Sequence, residues 1–329
     1  MRDRKRGTVR DLRRGNRAAV LWSLYLSQAR SRQELSAATG LSAASVTNVV
    51  RELINEGIVV GQIASGLATV LADSDLDEHA ILGVGVGVPG IIERRPEVLV
   101  HGQTYGWDAV PLGKLLRERT SLPLRFDNGA KTMGQAELWF GAGRGARNAV
   151  MILIGSGVGA SLIVGGSTYR GATSSAAEFG HIAVAVGGRK CRCGAAGCLE
   201  AYAGAAAILE RYGQPTAATD QELALAELIS AANTSPHAAG ILDDTARYLG
   251  AAIGTLINLF HPERVILGGW AGLQLGTRLL PDIRESARQH SLRHLYATTS
   301  IVLGELGPGA VALGAATLPM ETFLNNSGR

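Results

Sequence analysis

The sequence predicts an α/β protein led by a small helical module suited to reading DNA. Three observations predict it. Two capped helices flank a tight glycine turn near the front, and a strongly basic arm precedes them. The body behind them sets glycines directly after short apolar runs, as in "LGVGVGVPG" and "LIGSGVGA", which marks tight strand-to-turn transitions. The 43 glycines are about twice average usage, yet they cluster in such settings rather than in low-complexity tracts. A chain of 329 residues with 46% hydrophobic content can bury a large core and hold two or three domains.

The basic arm spans residues 1–16. Through Arg17 the chain carries eight Arg or Lys against Asp3 and Asp11, a net of +6, whereas the whole chain is only +4. Concentrated positive charge on a near-neutral body suits a phosphate backbone as partner. No apolar run with a small-residue cleavage site follows the arm, so it does not read as a secretory signal. No stretch of 18 apolar residues predicts a membrane span. Three cysteines, an odd number, argue against a disulfide framework, and a cytoplasmic location is expected.

A winged helix-turn-helix is expected over residues 17–66. Its first helix runs from about Arg17 to Gln28, with Val20, Leu21, Leu24 and Leu26 as the apolar stripe. Ser31 and Glu34 form a capping box for the second helix. Gly40 supplies the turn, Ser42 caps a third helix from Ala43 to about Asn55, and Gly57 ends it. Val46, Val49, Val50, Leu53 and Ile54 make that helix's inward face. Arg32, Ser42, Ala43, Ala44, Ser45, Thr47, Asn48 and Arg51 are the candidate DNA contacts. Small residues let a backbone approach the major groove, an Asn reads adenine, and an Arg reads guanine or a phosphate. The segment "IVVGQIASG" reads as a short β wing.

All three cysteines, Cys191, Cys193 and Cys198, fall within "HIAVAVGGRKCRCGAAGC". Gly194 and Gly197 let that backbone curl, so the three thiols suit a tetrahedral zinc site whose fourth ligand is His181 or water. The alternation in "IAVAV" reads as a strand whose hairpin returns the chain to His181. Four protein ligands make a closed, structural site, with no vacancy for catalysis.

The stretch "AAEFGHIAVAVGGRKCRCGAAGCLEAYAG" closely resembles the signature of the ROK family, named for repressors, open reading frames and sugar kinases. "ILGVGVGVPG", "FGAGRGARNAVMILIGSGVGASLIVGG", "INLFHPERVILGGW" and "LGPGAVALGAA" have family counterparts in the same order. The resemblance covers roughly residues 11–316, and the front module resembles that of the family's repressors. It implies an actin/hexokinase-like (ribonuclease H-like) two-lobed α/β domain over 67–316. The first lobe would span about 67–137, the second about 138–300, with a return helix at 305–316 and a tail at 317–329. By the same resemblance, Asn128, Glu178, His181 and Glu200 would contact a sugar, and zinc would hold the loop that shapes its pocket.

Two departures separate this sequence from the family's kinases. Where they carry Asn-Asp, the Asp acting as base, "RFDNGAKTMGQAEL" has Asn128 followed by Gly129. Asp127 lies two positions away, about 7 Å along a strand, too far to take the same proton. The family's opening Asp-x-Gly-x-Thr strands and their phosphate loop are also missing, since the wing passes almost at once to "GLATVLADSDLDEHAILGVGVGVPG". That segment resembles the end of a later helix followed by a later strand, so the first lobe is expected to be shortened, with a strand edge left open unless a loop or a dimer partner covers it. The G-x-G-x-x-G at 85–90 leads into "IIERRPEV", not a helix, which disfavours a dinucleotide site.

The expected function is a sugar-responsive repressor without kinase activity. A homodimer or higher homo-oligomer would bind pseudo-palindromic operator DNA, with zinc as a structural cofactor and a sugar or sugar derivative as effector. The alternatives are an ATP-dependent sugar kinase bearing a DNA module, and a ligand-independent DNA-binding regulator.

Overall fold

The computed structural model describes residues 32–42, 58–74, 76–94, 97–102, 107–214 and 220–326, together with 16, 19–20, 23, 45–46, 49–50 and 53. In chain order the helices are α1 (Arg32–Thr39), α2 (Ile58–Asp73), α3 (Leu112–Arg117), α4 (Gly129–Phe140), α5 (Glu200–Ala203), α6 (Ala205–Tyr212), α7 (Gln221–Ala231), α8 (Pro236–Phe260), α9 (Trp270–Gln289), α10 (Arg293–Tyr296) and α11 (Ala310–Asn325). The strands are β1 (Val84–Val88), β2 (Ile91–Glu93), β3 (Leu99–Gly102), β4 (Trp107–Val110), β5 (Leu124–Asn128), β6 (Ala149–Ile154), β7 (Val158–Val164), β8 (Ser167–Tyr169), β9 (Arg264–Gly268) and β10 (Ser300–Leu303).

In the front module, Asn16, Ala19, Val20 and Ser23 are helical, as are Ser45, Val46, Val49, Val50 and Leu53. Val20, Val46, Val49, Val50 and Leu53 are buried, the inward face that helical spacing predicts. Gly40 turns the chain at φ +67°, and Ser42 Oγ accepts from Ser45 N at 3.2 Å, the expected cap. Ala43, Ala44, Thr47, Asn48, Arg51 and the side chain of Arg32 lie outside the described residues.

The expected wing is a helix. Ile58–Asp73 forms the 16-residue α2, which carries the chain through the boundary expected at residue 66. Its β-branched start suggested a strand, but a lone strand leaves its backbone unpaired, and a helix satisfies those groups internally. The end of α2 and the strand β1 behind it agree with the later-helix, later-strand reading of this segment.

The first lobe, expected to be shortened, has few described strands. Among the described residues β1 pairs only with β5, in parallel, from Val84 opposite Leu124 to Val88 opposite Asn128. A three-stranded antiparallel sheet, β2-β3-β4, packs alongside. The helix α11 fills the crossing between lobes. A side chain at Gly85 would collide with the carbonyl of Ala315, and one at Gly314 with that of Thr132, so α11 lies directly on β1 and α4. This return helix, expected over 305–316, runs from Ala310 to Asn325, so most of the expected tail is helical.

The second lobe holds a five-stranded sheet in the order β10-β9-β6-β7-β8. The strands β10, β9 and β6 run parallel, and β6, β7 and β8 antiparallel. The long helix α8 starts cleanly because Ser235 caps Ala238 N and Pro236 opens the first turn. Its buried Ile241, Leu242, Leu249, Ile253, Leu256 and Ile257 face the main core, which β6, β7, β9 and α9 share. No described helix is long and apolar enough to cross a membrane.

Candidate functional site

The end of β5 and the start of α4 bring the first candidate into place. Asn128 caps α4: its side-chain oxygen accepts from Ala130 N at 2.8 Å and Lys131 N at 3.4 Å. Its amide nitrogen donates to Gly90 O at 2.8 Å, tying β5 to the turn after β1. Both ends of this predicted sugar contact are therefore engaged in holding the first lobe. Gly129 opens α4, and a Cβ there would meet only Val311 Cγ1 at 3.7 Å and Val88 O at 3.8 Å. Packing does not require glycine at this position.

Asp127 does not point to free solvent. Its side chain is 2% exposed, ion-paired to Arg170, and 3.8 Å from Arg94. Its Oδ1 also accepts from Asn128 N at 2.8 Å. Two guanidiniums and a backbone amide hold this carboxylate in place.

A loop from Arg170 to Glu178 is tied to β5 through Asp127 and to α4 through Lys131. Ser174 and Ala177 hold left-handed backbones at φ +64° and +72°, costing about 1 kcal/mol or more each for a residue with a Cβ. Lys131, on the first turn of α4 and 2% exposed, fixes this loop by donating from Nζ to Ser174 O. Burial lowers the Lys131 pKa, while Asp127 and Glu178 pull it back up. Desolvation raises the Glu178 carboxyl, although its side chain reaches the surface; His181 and Lys131 oppose that rise and Glu200 adds to it. Glu178, His181, Glu200 and Lys131 thus lie within electrostatic reach of one another.

Glu200 is buried at the start of α5. Its Oε2 accepts from Val158 N at 3.0 Å and its Oε1 from Arg192 Nε at 2.6 Å. Burial alone would raise its pKa, but the Arg192 bond and charge, the Val158 amide and His181 together leave it lowered. A side chain at Gly157 would collide with both Arg192 and Glu200, so the glycine of the "GSGVG" turn makes room for this pair.

His181, Cys191, Cys193 and Cys198 come together as predicted, with their ligand atoms all within 4.8 Å of one another. His181 Nδ1 lies 3.7 Å from Cys191 Sγ, and Cys193 Sγ lies 3.7 Å from Cys198 Sγ. A tetrahedron of sulfur ligands about 2.3 Å from its centre has edges of about 3.8 Å. The donor set therefore fits a tetrahedral cation and could bind one. The "IAVAV" segment is not a regular strand. It pairs with the cysteine loop through the bridge Ala183–Cys198, and Gly197 O accepts from both Val184 N and Ala185 N. The loop knots back too soon for a full hairpin, yet this pairing still brings Cys198 under His181.

Sequence reasoning missed Lys131, Arg170 and Arg192. The local sequence offers no signal for the first, since Lys131, Thr132 and Gln135 share one side as on a solvated helix; α4 is nevertheless buried from Ala130 through Glu137, so its Lys had to find an internal partner.

Comparison with known proteins agrees with this geometry. The ROK family model matches residues 44–322. A glucokinase from Halalkalibacterium halodurans is 32% identical over 274 residues, covering 79% of this chain and 83% of that protein. A putative xylose repressor from Caldicellulosiruptor sp. is 28% identical over 301 residues, covering 85% and 75%. A ROK glucokinase from Streptomyces griseus, solved with glucose and AMPPNP, superposes with a TM-score of 0.66 at 28% identity, over 79% of this chain and 88% of that one. The chain belongs to the ROK family and has its actin-like α/β fold.

Proposed function

We propose that this protein is a sugar-responsive transcriptional repressor whose ROK domain binds a ligand and transfers no phosphoryl group. The observation that carries the reading is Gly129. It stands where a kinase of this family would hold its base, in a position whose packing admits a side chain. The nearest carboxylate in sequence, Asp127, is engaged by Arg170 and Arg94. Phosphoryl transfer depends on groups acting together, so losing the base and the opening phosphate loop removes it severely.

In this reading Asn128, Glu178, His181 and Glu200 divide a sugar's hydroxyls among an amide, an imidazole and two carboxylates. His181, Cys191, Cys193 and Cys198 hold a structural Zn2+, which fixes the loop that presents Glu200 and leaves the second ring nitrogen of His181 for the sugar. The part of residues 17–66 that precedes α2, with the basic arm, forms the DNA-binding module, where Arg32, Ser42, Ala43, Ala44, Ser45, Thr47, Asn48 and Arg51 would face the duplex. A cytoplasmic homodimer places two such modules on operator half-sites about one helical turn or a multiple apart. The sugar acts by binding one arrangement of the dimer better than the other. The repressor relative, which matches 85% of this chain, supports the reading.

The 32% identity to a glucokinase favours a second reading, a sugar kinase bearing a DNA module. An ATP-coupled assay over hexoses and their N-acetyl forms separates the two, and robust turnover overturns the repressor reading. An operator mobility shift with and without each sugar tests its positive content. A shift that no sugar alters identifies a ligand-independent regulator instead.

A further inference from the structure

A polar cavity lies in the first lobe, apart from the candidate sugar contacts. It has a volume of about 310 Å³ and is lined by Arg94, Arg125, Arg170, Asp127 and Glu321 against an apolar wall that includes Phe126 and Leu318. None of Asn128, Glu178, His181 and Glu200 lines it. Three guanidiniums thus line the cavity with two carboxylates, and one of those, Asp127, is buried and already paired with Arg170 and, at 3.8 Å, with Arg94.

The cationic groups are held but not saturated. A guanidinium has five N–H donors. Arg94 donates to Phe126 O at 2.6 Å, which anchors it at the edge of β5. Arg125 donates from Nε to Thr322 Oγ1 at 3.2 Å and from a terminal nitrogen to Leu124 O at 3.3 Å. Arg125 has no carboxylate at ion-pair distance among the described residues. A fixed, forked cation with spare donors is the arrangement that recognises phosphate. The remaining lining suits the rest of a small ligand, since Glu321 can accept from hydroxyls and the wall can cover carbon. The volume falls at the lower end of the range for small-molecule sites, about 300–1,000 Å³.

We infer that this cavity is a binding site for a small polyol phosphomonoester, with Arg94 and Arg125 holding the phosphate. The site would lie next to the sugar machinery, because Asp127 is bonded to Asn128 N and Arg170 begins the loop that carries Glu178.

Calorimetry on the full chain tests this, with glucose 6-phosphate, inorganic phosphate and glucose as probes. Arg125 is exposed, so Arg125→Ala and Arg125→Glu should keep the fold, which a thermal melt verifies. Glucose 6-phosphate should bind the parent, about tenfold or more weaker to Arg125→Ala, and not measurably to Arg125→Glu, as expected on losing a charge-assisted fork. Its binding should persist in Glu178→Gln, which alters the candidate sugar contacts instead. Absence of glucose 6-phosphate binding to the parent overturns the inference. So does binding that Arg125→Glu leaves unchanged, and so does loss in Glu178→Gln, which would put the phosphate among the sugar contacts.

Discussion

Arg192 donates from Nε to Oε1 of Glu200 at 2.6 Å, and so joins the Cys-x-Cys segment to the carboxylate at the head of α5. Cys191 and Cys193 flank the arginine, while Glu200 also accepts from Val158 N at 3.0 Å. The candidate metal loop, the turn between β6 and β7, and a candidate sugar contact therefore form one mechanical unit. Arg192→Ala leaves a buried carboxylate short of a partner and should cost about 1–3 kcal/mol. A denaturant melt measures it, and sugar binding should weaken with it. An unchanged melt would mean that the pair bears no load.

The four-residue cluster should carry metal as purified. We expect one zinc per chain by elemental analysis, and its loss in Cys193→Ala. Chelation should lower the melting temperature by several degrees, because ligand binding to the folded state adds directly to folding free energy. A metal-free preparation with an unchanged melt and unchanged sugar binding would refute this.

Gly129→Asp should fold as well as the parent, since its Cβ meets neighbours only at 3.7 and 3.8 Å. On the proposed reading it should nevertheless show no turnover with ATP, because a new carboxylate would not supply the opening strands and phosphate loop expected to be missing. A coupled assay decides. Turnover in the variant alone would show that the shortened lobe still positions ATP.

Lys131 should give the stability curve a slope at alkaline pH. Its folded pKa is lowered from 10.5, chiefly by burial, with Asp127 and Glu178 raising it and Arg170 and Arg94 lowering it further. Between the lowered value and 10.5 the unfolded chain binds more protons than the folded one. Stability contributed by this group therefore rises as pH climbs through that window. Lys131→Met should flatten the rise, and at neutral pH it should free the loop at Ser174. Parallel curves for parent and variant would refute the assignment.

Much of this was readable from the sequence because the signals are short-range. The spacing of Cys191, Cys193 and Cys198, with His181 ten residues upstream, anticipates the cluster. The apolar period in the front module anticipates the burial of Val20, Val46, Val49, Val50 and Leu53. The β-branched run at Ile58 misled, because strand preference matters only when a neighbouring strand exists to pair with.

By itself, the sequence determined the family and the cysteine–histidine donor set, and it raised the expectations of a lost base at Gly129 and a shortened first lobe. Only the tertiary structure decided that Asp127 is held by Arg170, that Lys131 anchors Ser174, and that Ile58–Asp73 is helical. Both contacts join residues 43 positions apart. Local patterns dictate which neighbours share a face, but a buried charge finds its partner only once the folded chain has brought distant segments together and excluded water between them.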